Sequence, residues 1–217
     1  MNRIKFGMKK TNNLKTKGNV YPNMSNITQK WVELLMPLTS NYKNKMSETE
    51  LARLSKIPQQ TASRYLNELV KNNLLDYTRQ GRNKLFYFDY SKQTTKIIFE
   101  ILENSKALVF QKNLNEAALI VNEMLKYAES IIIFGSYASY KFNKSSDLDV
   151  VFLGKSNEGE LKKIKQRQIM QINEHYVSYE EFAKILRSRN SLALEIANNH
   201  ILFGNISKIV NIFIDAL

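Results

Sequence analysis

Residues 131–154 read IIIFGSYASYKFNKSSDLDVVFLG, and two features of this stretch decide the fold of the chain's second half. An apolar run, Ile131–Phe134, suits a buried strand and stops at Gly135-Ser136. A polar stretch with room for a short helix follows. A second apolar strand then covers Leu148–Leu153, with Asp147 and Asp149 at its start. Residues two apart on a strand project from one face, so the two carboxylates converge. Paired carboxylates of this kind suit Mg2+ or Mn2+, which favour oxygen ligands. Gly135 lets the backbone approach a phosphate, and Ser136 with the N–H groups of a helix start can hold phosphate oxygens.

Working downstream, a third strand is expected over Ile169–Val177. Helices are expected over 157–167, 179–188 and 191–198, and a last one over 205–216 closes the chain. On the third strand, alternation puts Gln171, Asn173 and His175 on one face and Glu174 on the other. His175 reads as a surface or packed residue rather than a ligand.

With GS at 135–136 and SDLD at 146–149, the strand–GS–helix–SDLD–strand arrangement resembles the polymerase-beta-like nucleotidyltransferase superfamily, especially its minimal members. The resemblance covers roughly residues 115–204, including YEEFAKIL and EIANNHILFG, which look like the helices and final strand of such members. It implies a small mixed sheet flanked by helices, with a nucleoside triphosphate as ligand or substrate. Asp147 and Asp149 would be the metal-binding carboxylates, and Gly135 and Ser136 would contact the nucleotide. Two departures stand out. Members often have Gly where this chain has Tyr140, so a differently shaped phosphate loop is expected. The third carboxylate of the family falls at Asn173, a neutral amide, unless a bulge turns Glu174 inward. An amide can offer its carbonyl oxygen to a cation but cannot accept a proton as a carboxylate does. With Asp147, Asp149 and Asn173 in the catalytic positions, transfer is expected to be slow or absent. Some minimal members pair with a helical partner protein in an antitoxin-like role, which the resemblance adds as a further alternative.

Upstream, Trp31, Leu34 and Leu35 continue a helical spacing begun at Ile27, and Pro37 interrupts it. Ser47 suits an N-cap, with Glu50 completing a capping box, for a helix carrying Leu51, Leu54 and Ile57 on one face. After the Ile57-Pro58 turn comes a third helix, with Ala62, Leu66, Leu69 and Val70 facing the core. DYTRQGRNKLFYFDY then reads as a hairpin with its tip near Gln80-Gly81. Helix, helix, short turn, helix and basic hairpin form the plan of a winged helix-turn-helix and resemble many transcription regulators of that type. On that plan Gln59, Gln60, Thr61, Ser63 and Arg64 face DNA bases or phosphates. Arg79, Arg82 and Lys84 in the wing suit phosphate or minor-groove contact. Winged-helix regulators often dimerise on paired half-sites, so a homodimer is expected.

The formal charge of +12 attracts polyanions, with double-stranded DNA the expected one. The absence of Cys excludes disulfides and thiolate metal sites, and two His are too few for a His-rich zinc site. No apolar run is long enough for a bilayer or a secretory signal, so a cytoplasmic location and no membrane partner are expected. The fold expected is α+β. A basic flexible arm covers 1–24, a winged helix-turn-helix 25–90, a connecting helix 91–114 and a nucleotidyltransferase-like domain 115–217. The function expected is a DNA-binding regulator whose second domain binds nucleotide and metal, the alternative being an active nucleotidyltransferase.

Overall fold

The structure, a computed structural model, describes residues 29–40 and 42–216. The basic arm and Ile27 lie outside the described residues. Helix α1 (Gln29–Leu35) runs into a 3-10 turn at Met36–Thr39, where Pro37 near its start cannot continue the α-helical bonding. A short strand β1 (Met46–Ser47) leads into α2 (Glu48–Ser55), and Ser47 accepts the Glu50 N–H as its cap. Lys56 ends α2 in the left-handed region at φ 56°, and α3 (Gln59–Lys71) follows almost at once. Strands β2 (Asp76–Gln80) and β3 (Asn83–Tyr87) form the expected hairpin, its turn opened by Gly81 at φ +61°. β1 adds to the outer side of β3, giving the order β1-β3-β2.

One expectation for α2 fails. Leu51 and Ile57 are buried, but Leu54 is exposed. Ile57 reaches the core from beyond the left-handed turn at Lys56, and Leu54, at the edge of the Leu51 side of α2, is left in solvent.

The segment expected to be helical over 91–128 divides into α4 (Gln93–Asn113) and α5 (Asn115–Met124), and strand β4 already begins at Ala128. After β4 (Ala128–Phe134) come the short α6 (Gly135–Ala138), β5 (Leu148–Ser156), α7 (Glu158–Gln166) and β6 (Ile172–Val177). Helices α8 (Tyr179–Ser188) and α9 (Ser191–Asn198), strand β7 (Ile201–Gly204) and α10 (Ile206–Ala216) complete the chain. A full capping box, Ser178 with Glu181, starts α8. The sheet order is β6-β5-β4-β7, with β5 and β6 parallel and the other pairs antiparallel. The molecule is therefore α+β with two small sheets, the second of them mixed.

β6 starts at Ile172 rather than the expected Ile169, because its partner β5 begins at Leu148, whose N–H bonds Gln171 O. Ile169 precedes any partner strand and is fully exposed. Both faces of the second sheet are covered, which explains the continuous apolar runs in β4 and β5. Ile131, Ile133, Val150 and Phe152 pack towards α5 and α7, while Ile132, Phe134, Val151 and Leu153 join Phe182 and Phe213 from α8 and α10.

The second of these layers does not stop at the sheet. It is continuous with Trp31, Leu66, Phe86 and Phe99, so the N-terminal helices and hairpin share one apolar cluster with the second sheet. Beside it lies a buried polar group. Tyr42 Oη donates to Glu103 Oε1 at 3.0 Å, His200 Nε2 lies 3.2 Å from the same oxygen, and Lys106 Nζ is 2.7 Å from Oε2.

Candidate functional site

The site grows from the ends of three strands. Register pairs Phe134 with Asp149, and Asp149 with Asn173. The row that emerges carries an aromatic, a carboxylate and an amide on one face, as alternation on each strand requires. Asp147, two residues before Asp149, joins them. Asn173 Nδ2 donates to Asp147 Oδ2 at 3.2 Å and to Asp149 Oδ1 at 3.1 Å. A carboxylate can only accept, so the amide must turn its nitrogen to the pair. Asn173 thus sits between the two acids and holds them together with a neutral donor.

Glu174 faces the opposite side of the sheet, where it pairs with Lys165 of α7. No bulge turns it inward: Leu148 to Leu153 pair with Ile172 to Val177 without interruption. Among the described residues no cluster of three or more His, Cys, Asp and Glu is placed to hold a metal. His175 is exposed on the Asn173 face, its ring 6.1 Å from that of Phe134.

Gly135 has a sharper reason than phosphate approach alone. Its φ is +67°, and a Cβ there would lie 2.3 Å from Asp149 Oδ2. The glycine makes room for the carboxylate itself, so the GS turn and the Asp pair are one packing unit. Ser136 follows in the first turn of α6, and its carbonyl accepts the Lys141 N–H at 2.9 Å. Tyr140 adopts φ 55°, the left-handed conformation in which a glycine is at ease. The bulky side chain is therefore carried at a backbone position that favours glycine.

The loop from Lys141 to Ser146 is fixed by its own bonds. Asn143 Oδ1 accepts from Ser145 N at 2.9 Å and from Ser145 Oγ at 2.7 Å, and Ser146 Oγ accepts from Asn143 N at 2.8 Å. It borders an open groove of about 540 Å³ that reaches Asp147. Phe142 in its wall stacks on Tyr137, centroids 4.5 Å apart and planes within 10°. Lys144 lies on the same wall.

In the N-terminal half, Gln59, Gln60 and Arg64 are exposed on the early turns of α3, while Thr61 and Ser63 are half-buried. Arg79 and Arg82 are exposed on the hairpin. Ser63, Gln59, Arg82 and Lys84 border one concavity between α3 and the hairpin. Two of these side chains are already engaged: Lys84 donates to Asn67 Oδ1 at 3.0 Å and lies over the Tyr77 ring, and Gln59 reaches Thr49 at 3.5 Å.

Sequence reasoning passed over Glu103, Lys106 and His200. Glu103 and Lys106 stand among other charged and polar residues of α4, such as Lys96, Glu100 and Lys112, so nothing local marked them out, and His200 gave only a His just before a strand. Comparison with known families matches residues 114–201 to the nucleotidyltransferase domain. No curated protein and no solved structure matches the chain.

Proposed function

We propose that the second domain binds a nucleoside triphosphate together with Mg2+ or Mn2+ at Asp147 and Asp149, and that the N-terminal helices and hairpin carry it on duplex DNA as a transcription regulator. The observation behind binding, as opposed to rapid transfer, is the Asn173 amide seated between the two carboxylates. Two carboxylates suffice for a magnesium ion that takes its remaining ligands from water and phosphate, so the residues present fit such an ion. When bound, it would neutralise phosphate charge. Asp147 and Asp149 would hold it, and Asn173 would set the spacing of the two acids. Gly135 and Ser136 would present backbone N–H groups to phosphate. Lys144 would balance its charge, and Phe142 on Tyr137 would offer a face for the base. None of these groups other than the two aspartates can take a proton from an attacking hydroxyl, and both aspartates are committed to the cation.

The DNA reading is supported by the order of helices and hairpin, by the exposed Gln59, Gln60 and Arg64 at the start of α3, and by Arg79 and Arg82 on the hairpin. A second reading, an active nucleotidyltransferase, is favoured by the family match over 114–201. Calorimetric titration with magnesium and a nonhydrolysable triphosphate tests the proposal. Saturable binding that disappears in Asp147→Asn/Asp149→Asn supports it, and unchanged binding in that variant overturns the site. Transfer of label by the parent chain at enzymatic rates, dependent on Asp147, would favour the second reading.

A further inference from the structure

The groove that reaches Asp147 contains a second carboxylate. Glu116, in the first turn of α5, lines it together with Tyr137 and Phe142. Glu116 is exposed, and among the described residues it makes no ion pair or hydrogen bond. Burial first, and then the charge of Glu116, push the Tyr137 phenol up, so the carboxylate stands close to the stacked Tyr137 and Phe142 rings. Phe142 is 37% exposed, and Ile169 in the same lining is fully exposed. Aromatic and apolar side chains left in solvent inside a concavity suit a ligand ring. The volume, about 540 Å³, falls in the usual range of small-molecule sites, roughly 300–1,000 Å³.

A helix N-terminus favours any anionic side chain, so the position of Glu116 alone implies no ligand. The rings beside it do. An ionised carboxylate only accepts hydrogen bonds, and its two oxygens accept best from two donors side by side. Of the common bases, guanine alone presents two adjacent donors on its Watson–Crick edge, N1–H and the exocyclic N2 amino group. Adenine and cytosine offer an amino group beside a ring nitrogen that is itself an acceptor. Uracil flanks its ring N–H with two carbonyls. Each of these three sets a lone pair against the carboxylate, which costs free energy. Bases held by stacking are commonly read in this way, by hydrogen bonds to that edge.

We infer that the groove selects a guanine nucleotide, with the base laid on Phe142 and its N1–H and N2 amino group donating to Glu116. The inference rests on the triphosphate site proposed above and adds the identity of its base.

Calorimetric titration of the full chain with magnesium and triphosphates carrying a nonhydrolysable α–β linkage tests it. The guanosine analogue should bind about tenfold or more tightly than the adenosine analogue, the order of discrimination that a bidentate pair gives. Inosine keeps N1–H but lacks the amino group, and its analogue should fall between them. Glu116→Ala should bring guanosine down to the adenosine level and leave adenosine binding unchanged, which also shows that the variant is folded. Equal affinity for guanosine and adenosine, lost in Asp147→Asn/Asp149→Asn, overturns the guanine inference and leaves the metal and triphosphate site standing. No binding of any triphosphate overturns both. A loss shared by guanosine and adenosine in Glu116→Ala, and matched by 2′-deoxyguanosine in the parent, puts the carboxylate on the ribose and overturns the inference as well.

Discussion

At Asn173 a single amide decides how the acidic pair is held. Asn173→Asp removes two N–H···O bonds and places a third negative charge beside two others. Each lost bond is worth about 1 kcal/mol, and like-charge repulsion adds to that. At roughly 2–4 °C per kcal/mol for a chain of this size, the metal-free variant should melt several degrees below the parent. Magnesium with triphosphate should raise its melting temperature more than the parent's. The same variant should transfer label from triphosphate faster than the parent, and Glu174→Gln should leave transfer unchanged, since Glu174 faces Lys165 across the sheet. Equal metal-free melting of parent and Asn173→Asp would show that the amide does not bind the pair together. Gly135→Ala tests the neighbouring contact. A Cβ there meets Asp149 Oδ2, and the left-handed φ costs a non-glycine residue about 1–2 kcal/mol. Loss of triphosphate binding with a fall in stability of that order is the expected calorimetric and melting result.

Among the elements, the hairpin separates two kinds of basic residue. Arg79 and Arg82 are exposed and free to reach phosphate, whereas Lys84 is tied to Asn67 on α3 and to the Tyr77 ring. Arg79→Ala/Arg82→Ala should therefore weaken duplex binding and reduce the salt slope by about two units, near 0.9 for each lost phosphate contact. Lys84→Ala should mainly loosen the hairpin from α3, with a smaller change of slope. Arg64→Ala, at the exposed start of α3, should also relax sequence preference. Binding measured across a salt series distinguishes these outcomes, and parent-like behaviour of all three would remove DNA from the proposed function.

For the whole molecule, the junction between the halves is the point of greatest leverage. Glu103 is fully buried and gathers Tyr42 from the N-terminal half, His200 from the second domain and Lys106 from its own helix. Burial alone would push its carboxyl up, but Lys106 and His200 together hold it below the usual range, so it is ionised at neutral pH. A carboxylate with a lowered native pKa contributes stability above its unfolded value, and that contribution is lost as pH falls through the carboxylate range. Glu103→Ala leaves the Tyr42 hydroxyl and the Lys106 ammonium without their buried acceptor and should cost about 3–5 kcal/mol. Urea unfolding of the parent should give one transition by Trp31 fluorescence and by circular dichroism, because the two halves share a core. In the variant the two signals should part. Coincident transitions with unchanged midpoint would show that the buried cluster does not couple the halves.

Much of this was legible in the residues alone. Strand alternation has a period of two and needs no partner to be read, so the common face of Asp147 and Asp149, and the opposite faces of Asn173 and Glu174, followed from the sequence, whereas the register that brings Asn173 to the acids is tertiary. The cap at Ser47 and the hairpin turn at Gly81 are local as well, set by bonds and dihedrals within a few residues. What the sequence could not fix depends on contacts between distant segments. Ile169 fell outside its strand because β5 begins only at Leu148. Leu54 lies three positions from buried Leu51 yet is exposed, because what packs against a helix face, not its period, decides how far the cover extends. The fit of Asp149 against Gly135 and the meeting of Tyr42, Glu103 and His200 join residues 14, 61 and 97 positions apart. Helical periodicity shows that Ile97, Ile98, Ile101 and Leu102 are apolar, but only the packing of α1 and α3 decides which of them are buried and which remain exposed.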